Sequence, residues 1–399
     1  MATPPVRRLA ERLRQVEESR TMRVVASAQR LRAEGRDVVD LGAGEPDFPT
    51  PGHIKDAAKR AIDADFTRYT PAAGTPELRD AIADRFLEDF GVQRARNEII
   101  ATVGGKQAIF NVLLALVDPG DEVLVTAPYW VTFPQVVHLC GGIPVIVPTD
   151  EQSAFRVTAA MLEEKLTSKT SLIVLNTPNN PSGAVIAPSE LVRICELAAE
   201  RRIHVLVDEC YQKIVFDELR PHTAAAVPPE LRRWVVVAGS LSKTYAMTGW
   251  RIGFTIGPED LIARIVVIQG HETSNPNSVA QAAAVQALSG PQDCVDEMRR
   301  QYQLRRDYLV PALNGIPGLS CVLPRGAFYA FASVRRHLNG RFRTSEDFAA
   351  RLLEESGVAV TPGSGFGTEG YIRLSFAASR TALESAIERL GAFVRGLET

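Results

Sequence analysis

The sequence predicts an α/β fold, with a mostly parallel seven-stranded sheet sandwiched by helices and a smaller α+β domain. Seven short runs rich in Val and Ile lie at 98–103, 122–128, 143–148, 171–176, 203–209, 234–240 and 251–257. Most are nearly continuous in apolar residues, as is typical of strands buried on both faces. Helical patterns separate many of them, and strand–helix alternation of this kind indicates a parallel sheet with helices on both faces.

The pattern changes after residue 290. A long charged helix is predicted at about 292–315, followed by the strand patterns "GAFYAFA" and "YIRLSFA" and two further helical patterns. A helix is also predicted near the N-terminus, at about 19–34. Because 399 residues exceed one ordinary domain, we predict an N-terminal arm with part of the small domain at 1–45. The large domain is then expected at 46–300 and the remainder of the small domain at 301–399.

Composition excludes several classes of function. Hydrophobic residues make up 45%, charged residues 23%, and the net charge is −2, so no basic surface for nucleic acid or anionic membranes is expected. The five cysteines include no C-x-x-C pair, which argues against a disulfide framework or a metal site. The charged N-terminus does not resemble a secretory signal, and no apolar run approaches the roughly 20 residues of a membrane span. We expect a cytoplasmic protein.

One lysine stands in a segment of small and hydroxyl residues, "GSLSKTYAMTGWRIG" (239–253). A lysine amine is a poor nucleophile at its usual pKa of about 10.4, but desolvation or a nearby cation lowers that pKa. The packed setting of Lys243 and the proximity of Arg251 offer both. Lys243 is therefore a candidate for covalent chemistry with a carbonyl compound, and the alternative is a solvated loop lysine.

Polar residues also follow the predicted buried strands, at the edge where open α/β sheets bind ligands. In "VLVDECYQ", Asp208 could hold a protonated heterocyclic nitrogen and Tyr211 could bind a phenolate oxygen. Taken alone, Asp208 is more typical of a strand-end acid that caps a helix. In "TVGGKQAIF", a strand runs through two glycines into a helix, whose first N–H groups could bind one phosphate. The alternative there is an ordinary tight turn.

Three further residues could contact a ligand. Two Asn-Pro units in "NTPNNPSG" would fix the Asn180 amide, although such turns are common in loops. Trp130, in "APYWVTF", could stack on a planar ring or anchor the core. Arg373, in "YIRLSFA", could bind a carboxylate with two hydrogen bonds or could lie half exposed.

Together these residues call for a planar ring that carries a ring nitrogen, a phenolic oxygen, an aldehyde and one phosphate. Pyridoxal 5'-phosphate has these groups. The segments "LGAGEPDFPTP", "YTPAAGTPELRDAI", "TVGGKQAIFN", "NTPNNPSGAV", "VDECYQ" and "SLSKTYAMTGWRIG" stand in an order and spacing that resemble the class I pyridoxal-phosphate-dependent aminotransferases. This is the aspartate aminotransferase superfamily, of fold type I. The resemblance covers nearly the whole chain and is strongest to the bacterial aspartate aminotransferases with "AGEPDF" and "AMTGWRIG".

The resemblance implies a role for each matching residue. Lys243 would bind the cofactor aldehyde and then move the substrate proton. Asp208 would pair with the ring nitrogen, Tyr211 and Asn180 would hold the phenolic oxygen, and Trp130 would stack on the ring.

The resemblance also implies a phosphate site and a second subunit. The backbone N–H groups of Gly105 and Lys106 would bind the phosphate together with Ser240 and Arg251. Tyr69 would reach the phosphate of the neighbouring cofactor, which implies a homodimer with shared active sites.

For the substrate, the resemblance implies Gly44, Trp130, Asn180 and Arg373, with Arg373 on the α-carboxylate. An acidic side chain would need a cation, because an unpaired buried carboxylate costs several kcal/mol. The candidates are Lys106, Arg20, Thr21 and Arg23.

The rival is a pocket for a basic donor with Glu272 as counter-charge, and His271 could influence either. Cys210 stands where the family often has an aliphatic residue and is interpreted as a buried packing residue.

The implied activity is a ping-pong transfer of an amino group from an L-amino acid, with aspartate plausible, to a 2-oxo acid such as 2-oxoglutarate. The alternatives are a lyase with the same cofactor, or a transaminase for a basic or aromatic amino acid. A ligand-sensing regulator would need a DNA-binding module, and fewer than 50 residues precede "AGEPDF".

Overall fold

The computed structural model describes residues 10–17, 20–340 and 342–397, and its elements follow the predicted strand–helix alternation. The α-helices in that part of the chain are α1 Arg20–Ala33, α2 Gly52–Asp63, α3 Pro76–Phe90, α4 Gly104–Leu116, α5 Thr132–Leu139, α6 Ala159–Glu163, α7 Pro188–Glu200, α8 Leu241–Thr244, α9 Glu259–Glu272, α10 Ser278–Ser289, α11 Asp293–Asn314, α12 Ser345–Ser356 and α13 Arg380–Arg395. The strands are β1 Val39–Asp40, β2 Ile99–Thr102, β3 Glu122–Ala127, β4 Ile143–Pro148, β5 Thr170–Asn176, β6 His204–Asp208, β7 Val235–Ser240, β8 Gly253–Ile256, β9 Ser320–Cys321, β10 Tyr329–Ser333, β11 Val358–Ala359, β12 Thr361–Pro362 and β13 Tyr371–Ser375.

Seven strands form the large sheet, in the order β2–β8–β7–β6–β5–β3–β4. Strand β8 runs antiparallel to β2 and β7, whereas the other neighbouring pairs are parallel. The predicted mostly parallel seven-stranded sheet is therefore confirmed.

Both faces of this sheet are buried. Along β5, Leu172 and Val174 belong to one apolar cluster with α4, while Ile173 and Leu175 belong to another with α7. Successive strand residues point to opposite faces of the sheet. Because both faces are buried, consecutive residues of these strands are apolar, which explains the continuous apolar runs in the sequence.

A second region contains a four-stranded antiparallel sheet, in the order β12–β13–β10–β9. Its apolar cluster includes residues from β10, β13, α11, α12 and α13. A short parallel pair, β1 with β11, joins the N-terminal segment to this region. The smaller sheet domain is thus confirmed, whereas the domain limits 1–45, 46–300 and 301–399 stay a prediction.

The sheet topology brings several chain segments to one edge. Strands β5, β6 and β7 end side by side at Asn176, Asp208 and Ser240. No helix in the described part of the chain is long and apolar enough to cross a membrane.

Candidate active site

Eleven of the twelve predicted site residues line one cavity of ≈ 280 Å³ at the carboxyl edge of the large sheet. This volume lies near the lower end of small-molecule sites, about 300–1,000 Å³. The eleven residues are Gly44, Gly105, Lys106, Trp130, Asn180, Asp208, Tyr211, Ser240, Lys243, Arg251 and Arg373. We call it the central cavity, and Tyr69 lies outside it.

One end of the central cavity is the N-terminus of α4. The first N–H groups of a helix have no partner within the helix and bind anions. Close packing explains the two glycines there. A Cβ on Gly104, which has φ +75, would lie 2.4 Å from Arg251 Nη2, and a Cβ on Gly105 would lie 3.2 Å from Ser240 Cβ. Arg251, fixed by an Nη1 hydrogen bond of 2.9 Å to the Thr248 carbonyl, adds positive charge to this end.

Lys243 lies on the short helix α8, directly after β7. Ser240 caps this helix, because its Oγ accepts a hydrogen bond from the Ser242 N–H at 3.1 Å. The Lys243 Nζ donates to the Gly44 carbonyl. Burial is the main cause that lowers the pKa of the Lys243 amine, and the charges of Arg373 and Arg251 act in the same direction. The amine is therefore closer to its nucleophilic form than a surface lysine.

Asp208, the last residue of β6, is buried against the cavity wall. Its Oδ1 accepts a hydrogen bond from the Cys210 N–H at 3.0 Å. Burial raises the pKa of this carboxyl to about 7, against the opposing effects of the Cys210 hydrogen bond and of Lys243. A cationic ligand atom beside Asp208 would restore the charged carboxylate.

The loop after β5 holds Asn180 in place. The Asn180 N–H donates to Asn176 Oδ1 at 2.7 Å, and Asn179 Oδ1 accepts hydrogen bonds from the N–H and Oγ of Ser182. Because these polar contacts are buried, the loop presents the Asn180 amide in one orientation.

Two aromatic residues lie on other walls. The buried hydroxyl of Tyr211 is 2.7 Å from that of Tyr329. The Trp130 ring packs perpendicular to Phe133 at a centroid distance of 5.6 Å, and Lys106 Nζ lies 5.1 Å from its centroid.

Arg373, in the centre of β13, also lines the central cavity. It is only 2% exposed. Its Nη1 donates to Asn180 Oδ1 at 2.9 Å, and its Nη2 donates to the Gly42 carbonyl at 2.6 Å and to Thr361 Oγ1 at 3.3 Å. All three acceptors are neutral, and its Nε has no hydrogen-bond partner within the described chain. Burial lowers the pKa of this guanidinium.

Comparison with known proteins places this geometry in a family. Residues 36–390 match the model of the family described as aminotransferase class I and II. The chain is 41% identical to the aspartate aminotransferase of Geobacillus stearothermophilus, over 97% of this chain and 99% of the relative. It is 42% identical to the aspartate/prephenate aminotransferase of Cereibacter sphaeroides, over 98% of this chain and 99% of that relative. The crystal structure of the aspartate aminotransferase from Rhizobium meliloti matches it with a TM-score of 0.93 and 41% identity, over 98% and 99% of the two chains.

The chain belongs to this aminotransferase family. The resemblance seen in the sequence is thereby confirmed, and so is the prediction of an aminotransferase enzyme. The individual roles of the site residues stay predictions.

Two of the residues proposed for the substrate side chain, Lys106 and Glu272, line cavities of this aminotransferase. Lys106 is exposed and lines both the central cavity and a second cavity of ≈ 820 Å³. Desolvation and the Arg251 charge both lower the pKa of Lys106. Glu272 lines only the second cavity, where its Oε2 accepts a hydrogen bond from Gln107 Nε2 at 3.0 Å. His271 is exposed and lines neither cavity.

The other candidates lie apart from the central cavity or outside the described atoms. Arg23 forms an ion pair of 3.0 Å with Glu346. The side chains of Arg20 and Thr21 lie outside the described residues. Tyr69 is 90% exposed, so its hydroxyl takes no part in the central cavity of its own subunit.

The sequence analysis did not predict several residues that line the central cavity, and it did not predict that Cys210 is one of them. Tyr329 and Ser242 both line the central cavity. The signal for Tyr329 was a lone tyrosine among small residues in "GAFYAFA". Cys210 packs against the apolar cluster of the smaller domain, as expected, but it is only partly buried and also lines the central cavity.

Proposed function

We propose that this aminotransferase uses pyridoxal 5'-phosphate to move the amino group of an L-amino acid, with aspartate as the favoured donor, to a 2-oxo acid. The favoured acceptor is 2-oxoglutarate. The two half-reactions follow one another at the same site in a ping-pong cycle.

The observation that carries this proposal is the buried guanidinium of Arg373, to which no carboxylate is hydrogen-bonded in the described chain. A buried arginine is normally paired with a carboxylate, because an unpaired buried charge is costly. Arg373 has only neutral acceptors and one free Nε–H. The α-carboxylate of an amino acid would supply the missing anion with two charge-assisted hydrogen bonds.

The cavity walls fit the proposed cofactor group by group. The N-terminus of α4 and Arg251 suit its phosphate, and Asp208 suits a protonated ring nitrogen. Tyr211 and Asn180 would hold the phenolic oxygen. Trp130 would cover one face of the ring.

When bound there, pyridoxal phosphate supplies an electron-withdrawing ring that stabilises negative charge at the substrate α-carbon. The Lys243 amine would hold the cofactor through its aldehyde. When free, the same amine would take up the proton of the substrate α-carbon and would deliver a proton at the neighbouring position. Its lowered pKa suits it to that base role.

The preference for an acidic donor rests on Lys106 and on the family names. The matched curated relatives are named for aspartate, and two of them also for prephenate, so the names favour aspartate more strongly than any acceptor. They also favour amino-group transfer over a lyase reaction. A basic donor would require Glu272 to face the substrate, whereas its carboxylate is bound to Gln107.

The proposal includes a homodimer. The exposed Tyr69 would complete the phosphate site of the partner subunit, and the enzyme would act in the cytoplasm. Mixing inactive Lys243→Ala with inactive Tyr69→Ala should restore one nearly intact site per heterodimer. No recovery after demonstrated subunit exchange would exclude shared sites.

The function is tested by following the visible absorbance of the bound cofactor. Addition of aspartate should bleach the band, and 2-oxoglutarate should restore it. Lys243→Ala should lose the lysine-bound absorbance and reduce transamination by several orders of magnitude, because the covalent link and the proton carrier both disappear. A Lys243→Ala variant with unchanged absorbance and activity would refute the assignment.

A further inference from the structure

Tyr329 connects two parts of the central cavity. It lies on β10, is fully buried and lines the cavity. Its ring centroid is 4.4 Å from the Arg373 guanidinium carbon, and its hydroxyl is 2.7 Å from the Tyr211 hydroxyl. One residue thus contacts both the predicted carboxylate-binding arginine and the predicted partner of the cofactor phenolic oxygen.

Both phenols are neutral near pH 7. Burial raises the pKa of Tyr211 well above its ordinary value, and burial also raises the pKa of Tyr329. The other titratable groups that act on the pair are Arg373, Cys210 and Glu45. Each hydroxyl therefore carries one proton, and the hydrogen bond between them uses one of the two.

The direction of that hydrogen bond decides what Tyr211 can do. If Tyr211 donates to Tyr329, its only proton is consumed and its oxygen offers the cavity only lone pairs. If Tyr329 donates to Tyr211, the Tyr211 proton is free for a cavity acceptor.

The geometry alone allows either hydroxyl to donate, and an anionic oxygen beside Tyr211 would select the second arrangement, because that oxygen accepts the Tyr211 proton. Tyr211 is the one side-chain hydrogen-bond partner of the Tyr329 hydroxyl in the described part of the chain. That hydroxyl also lies against Gly44, where an added Cβ would be only 3.0 Å away. Once an anionic cavity oxygen accepts the Tyr211 proton, the Tyr211 oxygen is the acceptor that remains for the Tyr329 proton.

We propose that Tyr329 is a positioning residue that donates its proton to the Tyr211 oxygen and thereby directs the Tyr211 O–H at the phenolic oxygen of the cofactor. This inference rests on the proposed function, because it requires pyridoxal phosphate in the central cavity. It assigns the Tyr329 hydroxyl a role separate from that of its ring, which packs against Arg373.

The consequence is measurable without any turnover. A hydrogen bond donated to the phenolic oxygen stabilises its anionic form and lowers the pKa at which the bound cofactor takes up a proton. Weakening that donor should raise this pKa. The phenylalanine variant keeps the ring against Arg373, so KM for the amino acid should change less than the spectroscopic pKa.

The experiment is a pH titration of the visible absorbance of the holoenzyme and of Tyr329→Phe, Tyr211→Phe and the double variant. Tyr211→Phe should raise the apparent pKa by about 1, the size expected for one charge-assisted hydrogen bond. Tyr329→Phe should raise it by about 0.5. The double variant should match Tyr211→Phe, because Tyr329 acts through Tyr211.

Tyr302→Phe is the matched control. Its hydroxyl is buried in the same aromatic cluster, beside Phe328, and has no hydrogen-bond partner among the described residues. This variant should titrate like the parent enzyme.

Two results would overturn the inference. An unchanged titration in Tyr329→Phe alongside a raised pKa in Tyr211→Phe would show that Tyr329 does not direct Tyr211. Additive shifts in the double variant would show that Tyr329 acts independently. A parent protein that shows no cofactor absorbance at all would instead refute the proposed function.

Discussion

Arg306 and Arg373 are equally buried, at 2% exposure each, but their surroundings differ in kind. Arg306, on α11, binds Asp217 through two hydrogen bonds of 2.7 and 3.1 Å and also contacts Asp307. Arg373, on β13, has only neutral acceptors. Burial lowers the pKa of both, but at Arg306 the two carboxylates outweigh burial, so its pKa ends above the ordinary value.

The difference separates a charge that the fold has already neutralised from one whose hydrogen-bond acceptors in the described chain are all neutral, as the proposed carboxylate-binding role requires. Arg306 joins α11 to the loop at Asp217 and to the Pro324 carbonyl, so its role is structural. Arg373 and Asp208 both line the central cavity without a carboxylate or cation hydrogen-bonded to them in the described chain. We therefore predict that substitution of Arg373 lowers activity more than stability, and that substitution of Arg306 lowers stability more than activity.

The largest expected effect is a loss of catalytic efficiency in the Arg373→Leu variant. Arg373 is proposed to donate two hydrogen bonds to the substrate α-carboxylate. Because all amino donors share that group, the loss of these hydrogen bonds should lower kcat/KM by on the order of 100-fold or more for every donor. The free energy of unfolding should change by less than about 1 kcal/mol, since a costly unpaired cation is removed together with its neutral hydrogen bonds. Steady-state kinetics and urea unfolding measure the two quantities. A loss confined to acidic donors would place Arg373 at the substrate side chain instead.

Arg306→Leu should lower the stability of the protein and leave its activity nearly unchanged. Removal of the buried cation deletes its ion pairs with Asp217 and Asp307 and its hydrogen bond to the Pro324 carbonyl, which should cost about 2–3 kcal/mol of unfolding free energy. Folded enzyme should keep its half-reaction rate with aspartate within about twofold. A large loss of rate without loss of stability would contradict the structural role.

Lys106→Ala tests a cation that is exposed at the entrance of the central cavity. If Lys106 binds the distal carboxylate, kcat/KM for aspartate and glutamate should fall by about tenfold or more, on the order of 1.5–3 kcal/mol. Alanine, which has no second carboxylate, should be affected much less. Arg23→Ala, which removes a cation already paired with Glu346, is the control and should leave both donors unchanged. An equal loss for all donors would assign Lys106 to the cofactor.

The smallest expected effect is on the pH dependence of apoenzyme stability in Asp208→Asn. Burial raises the pKa of Asp208 from about 3.8 to about 7 in the folded protein, so deprotonation destabilises the fold. This cost develops as the pH rises above about 4 and is complete above about 7. Asp208→Asn should therefore raise the unfolding free energy of the apoenzyme at pH 8 by on the order of 1 kcal/mol or more, and raise its Tm accordingly, with a smaller gain at pH 5. The exposed Asp84→Asn should show no such trend, and an equal gain at both pH values would exclude Asp208 as the cause.

The sequence alone was sufficient for the large sheet and for most of the cavity lining. Strands with continuous apolar runs must be buried on both faces, and the residues that follow parallel strands meet at one edge. Asn180, Asp208 and Lys243 each lie at or just beyond a strand end, so their convergence follows from the strand–helix alternation. The family resemblance then added roles that the pattern itself left open.

Tertiary structure was needed wherever two distant segments meet. The contact of Tyr329 with Tyr211, the neutral surroundings of Arg373 and the exposure of Cys210 to the cavity depend on how the smaller sheet packs against the large one. No local periodicity encodes such contacts, because the paired residues lie more than 100 positions apart. The sequence therefore determined which chemical groups this aminotransferase brings to its sheet edge. Only packing decided which buried charges have an oppositely charged hydrogen-bond partner within the described chain and which have none, because burial and hydrogen-bond partners are properties of the folded surroundings and not of the residue itself.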